Sequence, residues 1–326
     1  MKVAVIGCGK MGVTYIQALS RMPGVELAAI SDLRLEHAER IAEEYGISAY
    51  SSVDDLLADK NIQVVCVTVP SHLHKELVVK AAKAGKHIVC EKPLALSPKD
   101  AEEMILSCNE NGVQLYVAHV VRFFPAYADI KRKISEGVIG DVGIAHAKRM
   151  AGNPGVGREW FLDPRLSGGV IMDVIIHDID FMRWTLGEIS SVYALNHRTE
   201  SLDYASVTLR FRSGAIANLE GCLGSPDTFT SEVELFGKKG AIRHSNRDGI
   251  TLRAVLREGP HGSPVVNEQS PIVHSNYWTE LNHFLECIRT GNDPVVSAYD
   301  GLKAVEIAAA AIESIRTGQP VSLSES

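Results

Sequence analysis

The chain opens on a short apolar run, Lys2 to Ile6, that stops at glycines, and this pattern predicts a buried parallel strand. From Lys10 to Arg21 the apolar positions shift to helical spacing, with Met11, Tyr15, Ile16 and Leu19 on one face, until Pro23-Gly24 breaks the pattern. The alternation continues with a strand over Val25 to Ile30, a helix over Leu35 to Tyr45 closed by Gly46, and a short helix over Val53 to Ala58. A strand over Val64 to Val69, a helix over His72 to Ala84 and a strand over His87 to Cys90 follow. Ser97-Pro98 caps a further helix that runs to Asn111-Gly112, and Gln114 to Ala118 is the last strand of the series. Such repetition predicts an α/β doubly wound parallel sheet with right-handed crossovers, a Rossmann-type domain over residues 1–119.

Residues 120–326 have another rhythm. Phe124 to Gly137 and Ile171 to Leu186 read as helices, and Gly152 to Gly169 as an irregular loop rich in glycine and proline. Alternating runs predict strands over Val142 to Lys148, Val192 to Asn196, Ala205 to Phe211, Ala215 to Gly221, Glu232 to Phe236, Ala241 to His244 and Thr251 to Leu256. Gly237-Lys238-Lys239-Gly240 is a hairpin turn candidate, and Tyr277 to Thr290 and Ala298 to Thr317 return to helical spacing. This half is read as an α+β domain with a mostly antiparallel sheet and helices on one side. Strands outnumber the helices that can cover them, so an uncovered apolar face, and a homodimer or homotetramer packed through it, is expected.

The 326 residues fit about two domains. Lys plus Arg is 33 against 40 Asp plus Glu, a net charge of -7, which disfavours nucleic acid and anionic membranes as partners. No apolar run approaches the roughly 20 residues of a membrane span, and the N-terminal run ends too early at Gly7 for a signal peptide. Cys8, Cys66, Cys90, Cys108, Cys222 and Cys287 form no C-x-x-C and mostly sit in apolar runs, as reduced, buried thiols of a cytoplasmic protein would.

Gly7-Cys8-Gly9-Lys10-Met11-Gly12 is G-x-G-x-x-G between a strand and a helix, with Asp32 closing the next strand. That context makes it a dinucleotide fingerprint: the glycines allow a tight turn and close approach of pyrophosphate, and the helix N-terminus offers free N–H groups. Asp32 favours NAD, since its carboxylate would accept ribose hydroxyls and repel a 2′-phosphate. Arg34 is a solvated helix-start charge or a cation that keeps NADP possible. Thr68, Pro70 and His74 follow the third central strand, and Glu91-Lys92-Pro93 ends the fourth, at the edge where ligands bind in such sheets. With Gly7, Gly9, Lys10, Met11, Gly12, Asp32 and Arg34 they make the expected cofactor-facing set. His72 and His74 form H-x-H but lack further ligand residues nearby, so no metal is expected.

A lysine directly after an apolar strand is unusual, and Lys92 could polarise a substrate hydroxyl. Asp173 and His177 stand at i and i+4 of a predicted helix, with Asp180 three residues on, an arrangement suited to general-base chemistry. Arg122, Arg158 and Trp160, with Asn153, are candidates to line a polar pocket. Arg122 could instead close the interdomain joint by ion pairing, and Trp160 could anchor its loop.

The glycine fingerprint, Glu91-Lys92-Pro93 within Ala84 to Ala95, Gly168-Gly169 followed by Asp173 and His177, and Asp300-Gly301-Leu302 together resemble the glucose–fructose oxidoreductase/inositol dehydrogenase/rhizopine catabolism (Gfo/Idh/MocA) family over nearly the whole chain. The resemblance implies a Rossmann domain, a C-terminal domain on a large open sheet, NAD or NADP, and a sugar or cyclitol with a secondary alcohol. It carries catalytic roles over to Lys92, Asp173 and His177: His177 takes the hydroxyl proton, Lys92 holds the oxygen, and Asp173 positions substrate and base. Val170 stands where relatives often have a third glycine, and Val174-Ile175-Ile176 replaces smaller residues between Asp and His. An NAD-retaining glycosidase acting by transient oxidation and a non-catalytic NAD-binding sensor or assembly subunit are the alternatives.

Overall fold

The computed structural model describes residues 1–152, 159–161, 163–248, 252–256, 265–269 and 274–324. The first sheet is built from β1 (Lys2–Ile6), β2 (Glu26–Ser31), β3 (Ser48–Tyr50), β4 (Val64–Val67), β5 (His87–Glu91) and β6 (Leu115–Ala118). Between them run α1 (Lys10–Leu19), α2 (Leu35–Tyr45), α3 (Val53–Ala58), α4 (His74–Lys83) and α5 (Pro98–Glu110). All its pairings are parallel, in the order β3-β2-β1-β4-β5-β6. The strand order reverses between β1 and β4, so the crevice at a doubly wound sheet's switch point opens where the glycine loop leaves β1. β3 is an edge strand of three residues, too short to show a period in the sequence. β5 runs one residue past its apolar stretch, and the added Glu91 is buried opposite Ala118.

The second half contributes α6 (Pro125–Ser135), β7 (Val142–Ala151), α7 (Pro164–Ser167), α8 (Ile176–Leu186), β8 (Ile189–Arg198), β9 (Asp203–Phe211), β10 (Ile216–Leu223), β11 (Thr230–Gly237) and β12 (Gly240–Ser245). After them come β13 (Leu252–Leu256), β14 (Val265–Gln269), α9 (Asn276–Thr290), α10 (Ala298–Thr317) and β15 (Val321–Ser322). A seven-stranded sheet runs β12-β11-β7-β10-β9-β8-β15, antiparallel except where β10 lies parallel to β7. The hairpin turn falls where expected, with Gly237 paired to Gly240. β13 and β14 form a separate antiparallel pair.

Strand alternation turns Ala145, Ala147, Ala205, Val207, Leu209, Ala217, Leu219, Val233 and Leu235 inward into the core. The opposite face corrects the expectation of an apolar surface. Ile144, Leu195 and Ile216 are exposed there, but His146, Lys148, Glu232 and Glu234 alternate on the same side. α9 packs on α1 and β5, and α10 on α5 and β6 as well as β8, so the last helices return to the first sheet. Gly301 permits that approach: a Cβ there would lie 2.7 Å from Val117 Cγ2. All six thiols are buried and unpaired, as their apolar settings predict. No helix among the described residues is long and apolar enough to cross a membrane.

Candidate active site

The glycine loop is shaped for a phosphate group. Gly7 adopts φ +96°, a conformation that favours glycine, and a Cβ on Gly12 would lie 1.9 Å from the Gly7 carbonyl oxygen. Gly9 is the contrast: nothing lies within 4 Å of where its Cβ would point, so the loop is open there. Gly9 caps α1 without a side-chain hydrogen bond, and no acidic residue stands in the first turn, which leaves that end suited to an anion. Lys10 is exposed and Met11 half-buried beside it. Asp32 Oδ2 accepts the Cys8 N–H at 2.8 Å, which ties the acid at the end of β2 to the loop. Its Oδ1 accepts the Arg34 N–H at 2.9 Å, while the Arg34 side chain is mostly solvated. This cradle and acid fit a dinucleotide with free ribose hydroxyls.

Several residues of the expected cofactor set brace the cradle from behind. The Thr68 hydroxyl donates to the carbonyls of Gly7 (2.7 Å) and Ile6 (3.1 Å). His74 is buried, with Nδ1 2.8 Å from the Pro93 oxygen and Nε2 3.0 Å from the Val69 oxygen, so its ring joins two strand ends and presents no free nitrogen. Glu91 is also buried and accepts the Lys92 N–H at 3.1 Å. The side chains of Thr68, His74 and Glu91 thus brace the loop and the strand ends, while Pro70 stays half-exposed at the crevice edge. His72 and His74 diverge: His72 is exposed, with its ring centroid 6.4 Å from that of Trp160.

Lys92, Asp173 and His177 converge at the same edge. The Lys92 ammonium donates to Asp173 Oδ1 at 2.8 Å and to the Asp173 backbone oxygen at 2.7 Å, with both side chains mostly shielded. Asp173 therefore holds Lys92, and no hydrogen bond joins it to His177 among the described residues, which corrects its expected service to the base. His177 is half-buried, with Nδ1 buried and without a hydrogen-bond partner among the described residues. Burial above all, and then the Lys92, Arg149 and His119 charges, hold its pKa well below the ordinary 6.5. The helix here is not uniform. Residues Ile171–Ile175 form a π-turn, with the Ile176 N–H reaching the Ile171 oxygen, before α8 begins. Such turns are frequent at functional sites.

Two buried ion pairs clamp α8 on either side of His177. Arg149 of β7 grips Asp178 bidentately at 2.8 and 3.1 Å, and Arg122 grips Asp180 at 2.6 and 2.9 Å. Arg122 also donates to the Val295 oxygen at 2.7 Å, and its guanidinium lies 3.3 Å from Asp300. Arg122 is thus a buried interdomain joint and not a pocket residue, and Asp180 serves it and not the catalytic face. The bulky residues Val170, Val174, Ile175 and Ile176 all turn into the core. Gly221 of β10 makes the room, since a Cβ there would lie 2.3 Å from Ile175 Cγ1 and 3.3 Å from Val170 Cγ2. The departures from smaller residues are thus absorbed by packing against the sheet. Trp160 is half-buried with its ring 3.9 Å from Phe161, over the His72 segment; Asn153 and Arg158 lie outside the described residues.

Three residues around the site escaped the sequence reading. His37 Nε2 lies 3.0 Å from the Cys8 oxygen and steadies the glycine loop. Arg149 had a signal: it shares the inward parity of Ala145 and Ala147, and a charge in that register calls for a buried partner. His119, fully buried at the end of β6, has neither ring nitrogen hydrogen-bonded among the described residues, and its Nδ1 stands 4.0 Å from Asp180.

Comparison with known proteins agrees with this geometry. Residues 1–119 match the family described as oxidoreductase family, NAD-binding Rossmann fold, and residues 131–323 match its C-terminal alpha/beta domain. A scyllo-inositol 2-dehydrogenase (NAD(+)) of Bacillus subtilis is 33% identical over 99% of this chain and 96% of its own length. A myo-inositol 2-dehydrogenase of Thermotoga maritima is 30% identical over 100% and 99%. The crystal structure of a probable dehydrogenase from Thermotoga maritima superposes with a TM-score of 0.86 at 28% identity, covering 99% of this chain and 98% of that one. With the glycine cradle at the end of β1 and the Lys92–Asp173–His177 group beside it, the chain belongs to the Gfo/Idh/MocA oxidoreductase family.

Proposed function

We propose that this protein is an NAD-dependent dehydrogenase that oxidises a secondary alcohol of a sugar, sugar derivative or cyclitol to a ketone. The observation that carries the reading is the Lys92–Asp173 ion pair beside the neutral His177, at the same sheet edge as the phosphate-shaped glycine loop. NAD, when bound, supplies the hydride acceptor. The chain supplies the rest. Gly7, Gly9 and Gly12 let the backbone approach the pyrophosphate, and Asp32 takes the ribose hydroxyls, which favours NAD over NADP. His177 accepts the hydroxyl proton through the nitrogen left open on its ring. The Lys92 ammonium, aimed by Asp173, holds the substrate oxygen as negative charge develops on it. Trp160 offers the flat apolar surface that a ring needs, and Arg158 is kept as a polar pocket candidate.

Residues 1–119 serve as the nucleotide unit and residues 120–326 as the unit for substrate and assembly. The outer face of the second sheet, with Ile144, Tyr193, Leu195 and Ile216 among polar neighbours, supports a homodimer or homotetramer. Six unpaired buried thiols support a reducing compartment, and we place the protein in the cytoplasm; recovery in a periplasmic or secreted fraction would count against it.

The experiment is a screen of scyllo- and myo-inositol, then hexoses and nucleotide sugars, for NADH formation, with His177→Ala as the inactive control. A substrate that His177→Ala oxidises at the wild-type rate would remove His177 as the base. Tighter binding of NADP than of NAD would overturn the role of Asp32.

A further inference from the structure

Behind Lys92 the structure buries two carboxyl groups that the proposed reaction does not use. Glu280 lies on α9, three residues after Tyr277 and next to Leu281, so helical spacing carries it into the stripe that packs α9 on the first sheet. Its side chain is fully buried, and among the described residues neither carboxyl oxygen has a hydrogen-bond partner. The titratable groups that face it are Glu91 at the end of β5, Tyr15 on α1, Cys66 on β4 and Tyr277 on its own helix. No cation is among them. The Tyr15 hydroxyl faces Glu91 without forming a well-shaped hydrogen bond.

Two acids in this position are not equivalent. Glu91 accepts the Lys92 N–H and has the Lys92 charge beside it, whereas Glu280 has only a second carboxyl group near it. An ionised Glu280 would be unpaired, out of reach of water and repelled by Glu91. Burial and then Glu91 push the Glu280 carboxyl well above its ordinary range, and burial also pushes up Glu91, against the pull of Lys92.

We propose that Glu280 is a positioning residue that carries the one proton of this buried pair, so that Glu91 stays the only anion of the cluster, fixed behind the backbone of Lys92. The acid–carboxylate pair leaves a single negative charge in the cluster, where two could not coexist. Its effect on turnover rests on Lys92 being catalytic; the protonation of Glu280 does not.

The test is carbon NMR of the whole protein labelled at the glutamate carboxyl carbons. One resonance is expected in the carboxylic-acid position at neutral pH, and it should vanish in Glu280→Gln. A wild-type spectrum with every glutamate in the carboxylate position overturns the proposal without any variant, and so does an acid-form resonance that survives in Glu280→Gln. Glutamine keeps a neutral donor of the same size, so Glu280→Gln should turn over within about threefold of wild type, and Glu280→Leu should lose about tenfold or more in kcat. Equal rates in wild type and Glu280→Leu overturn the positioning role. Since the spectra need no substrate, failure of the dehydrogenase reading would show in the kinetics alone.

Discussion

His177 can accept a proton only if its imidazole is neutral when substrate arrives, and its surroundings secure that state. Burial and nearby cations favour the neutral ring, so the acid limb of kcat/KM should lie below the ordinary histidine value of 6.5. His177→Ala should lower kcat by about 10²–10⁴-fold and leave NAD affinity largely intact, as rate and cofactor titration would show. A second histidine gives a prediction on stability. Burial, which outweighs the opposing pull of Asp180, holds the pKa of His119 below 6.5. The unfolded chain therefore binds more protons than the folded one once pH falls below 6.5, and stability present above that value is lost toward the folded pKa. His119→Asn should remove that slope, up to about 1.4 kcal/mol per pH unit, in urea unfolding compared at about pH 7 and about pH 5.5. At this scale Lys92, Asp173 and His177 stood out as candidates because each breaks a local pattern: a cation after an apolar strand, or a polar pair inside an apolar helix. For Arg122 the ion-paired joint was one of two readings, and its partners were not legible, because Asp180 and Asp300 are 58 and 178 residues away in sequence.

Elements decide what each glycine of the fingerprint is for. Gly12 lets α1 start against the carbonyl of Gly7, whereas Gly9 faces open space. Gly12→Ala should therefore lose both melting temperature and NAD binding. Gly9→Ala should keep the fold while weakening NAD by about tenfold or more, because the added methyl stands where pyrophosphate must approach. Calorimetry beside NAD titration separates the two, and a Gly9→Ala variant that binds NAD normally would remove the cradle assignment. Apart from β3, the strands and helices of the first sheet were readable from their periods to within about two residues. The π-turn at Ile171–Ile175 was not, since its sequence reads as ordinary helix. It forms where buried Ile175 and Val170 seat over Gly221 while Asp173 reaches Lys92.

At the scale of the molecule, the two sheets meet through long-range pairs and returning helices. Arg122 links the exit of β6 to α8 and α10, and α9 and α10 pack back on the first sheet. The outer face of the second sheet is the surface we propose for assembly. Light scattering at micromolar concentration should give a dimer or tetramer, and Ile144→Glu with Leu195→Glu should shift it to monomer, because both side chains are exposed on that face. A wild-type monomer would defeat the assembly reading.

The sequence by itself determined the class of the first sheet and the glycine fingerprint with Asp32, and it singled out Lys92, Asp173 and His177 as candidates, whose catalytic roles came from the family resemblance. These depend on local periodicity and on spacings within one or two elements. Tertiary structure alone decided which polar groups meet. It paired Asp173 with Lys92 and not with His177, turned Arg122 and Asp180 into a joint, spent His74 and Thr68 on bracing, and set Glu280 beside Glu91. The physical reason is that a period tells which face of an element is buried, while the partner across that face comes from elsewhere in the chain. A buried polar group must be paired or neutral, and only the packed fold supplies the partner or withholds it.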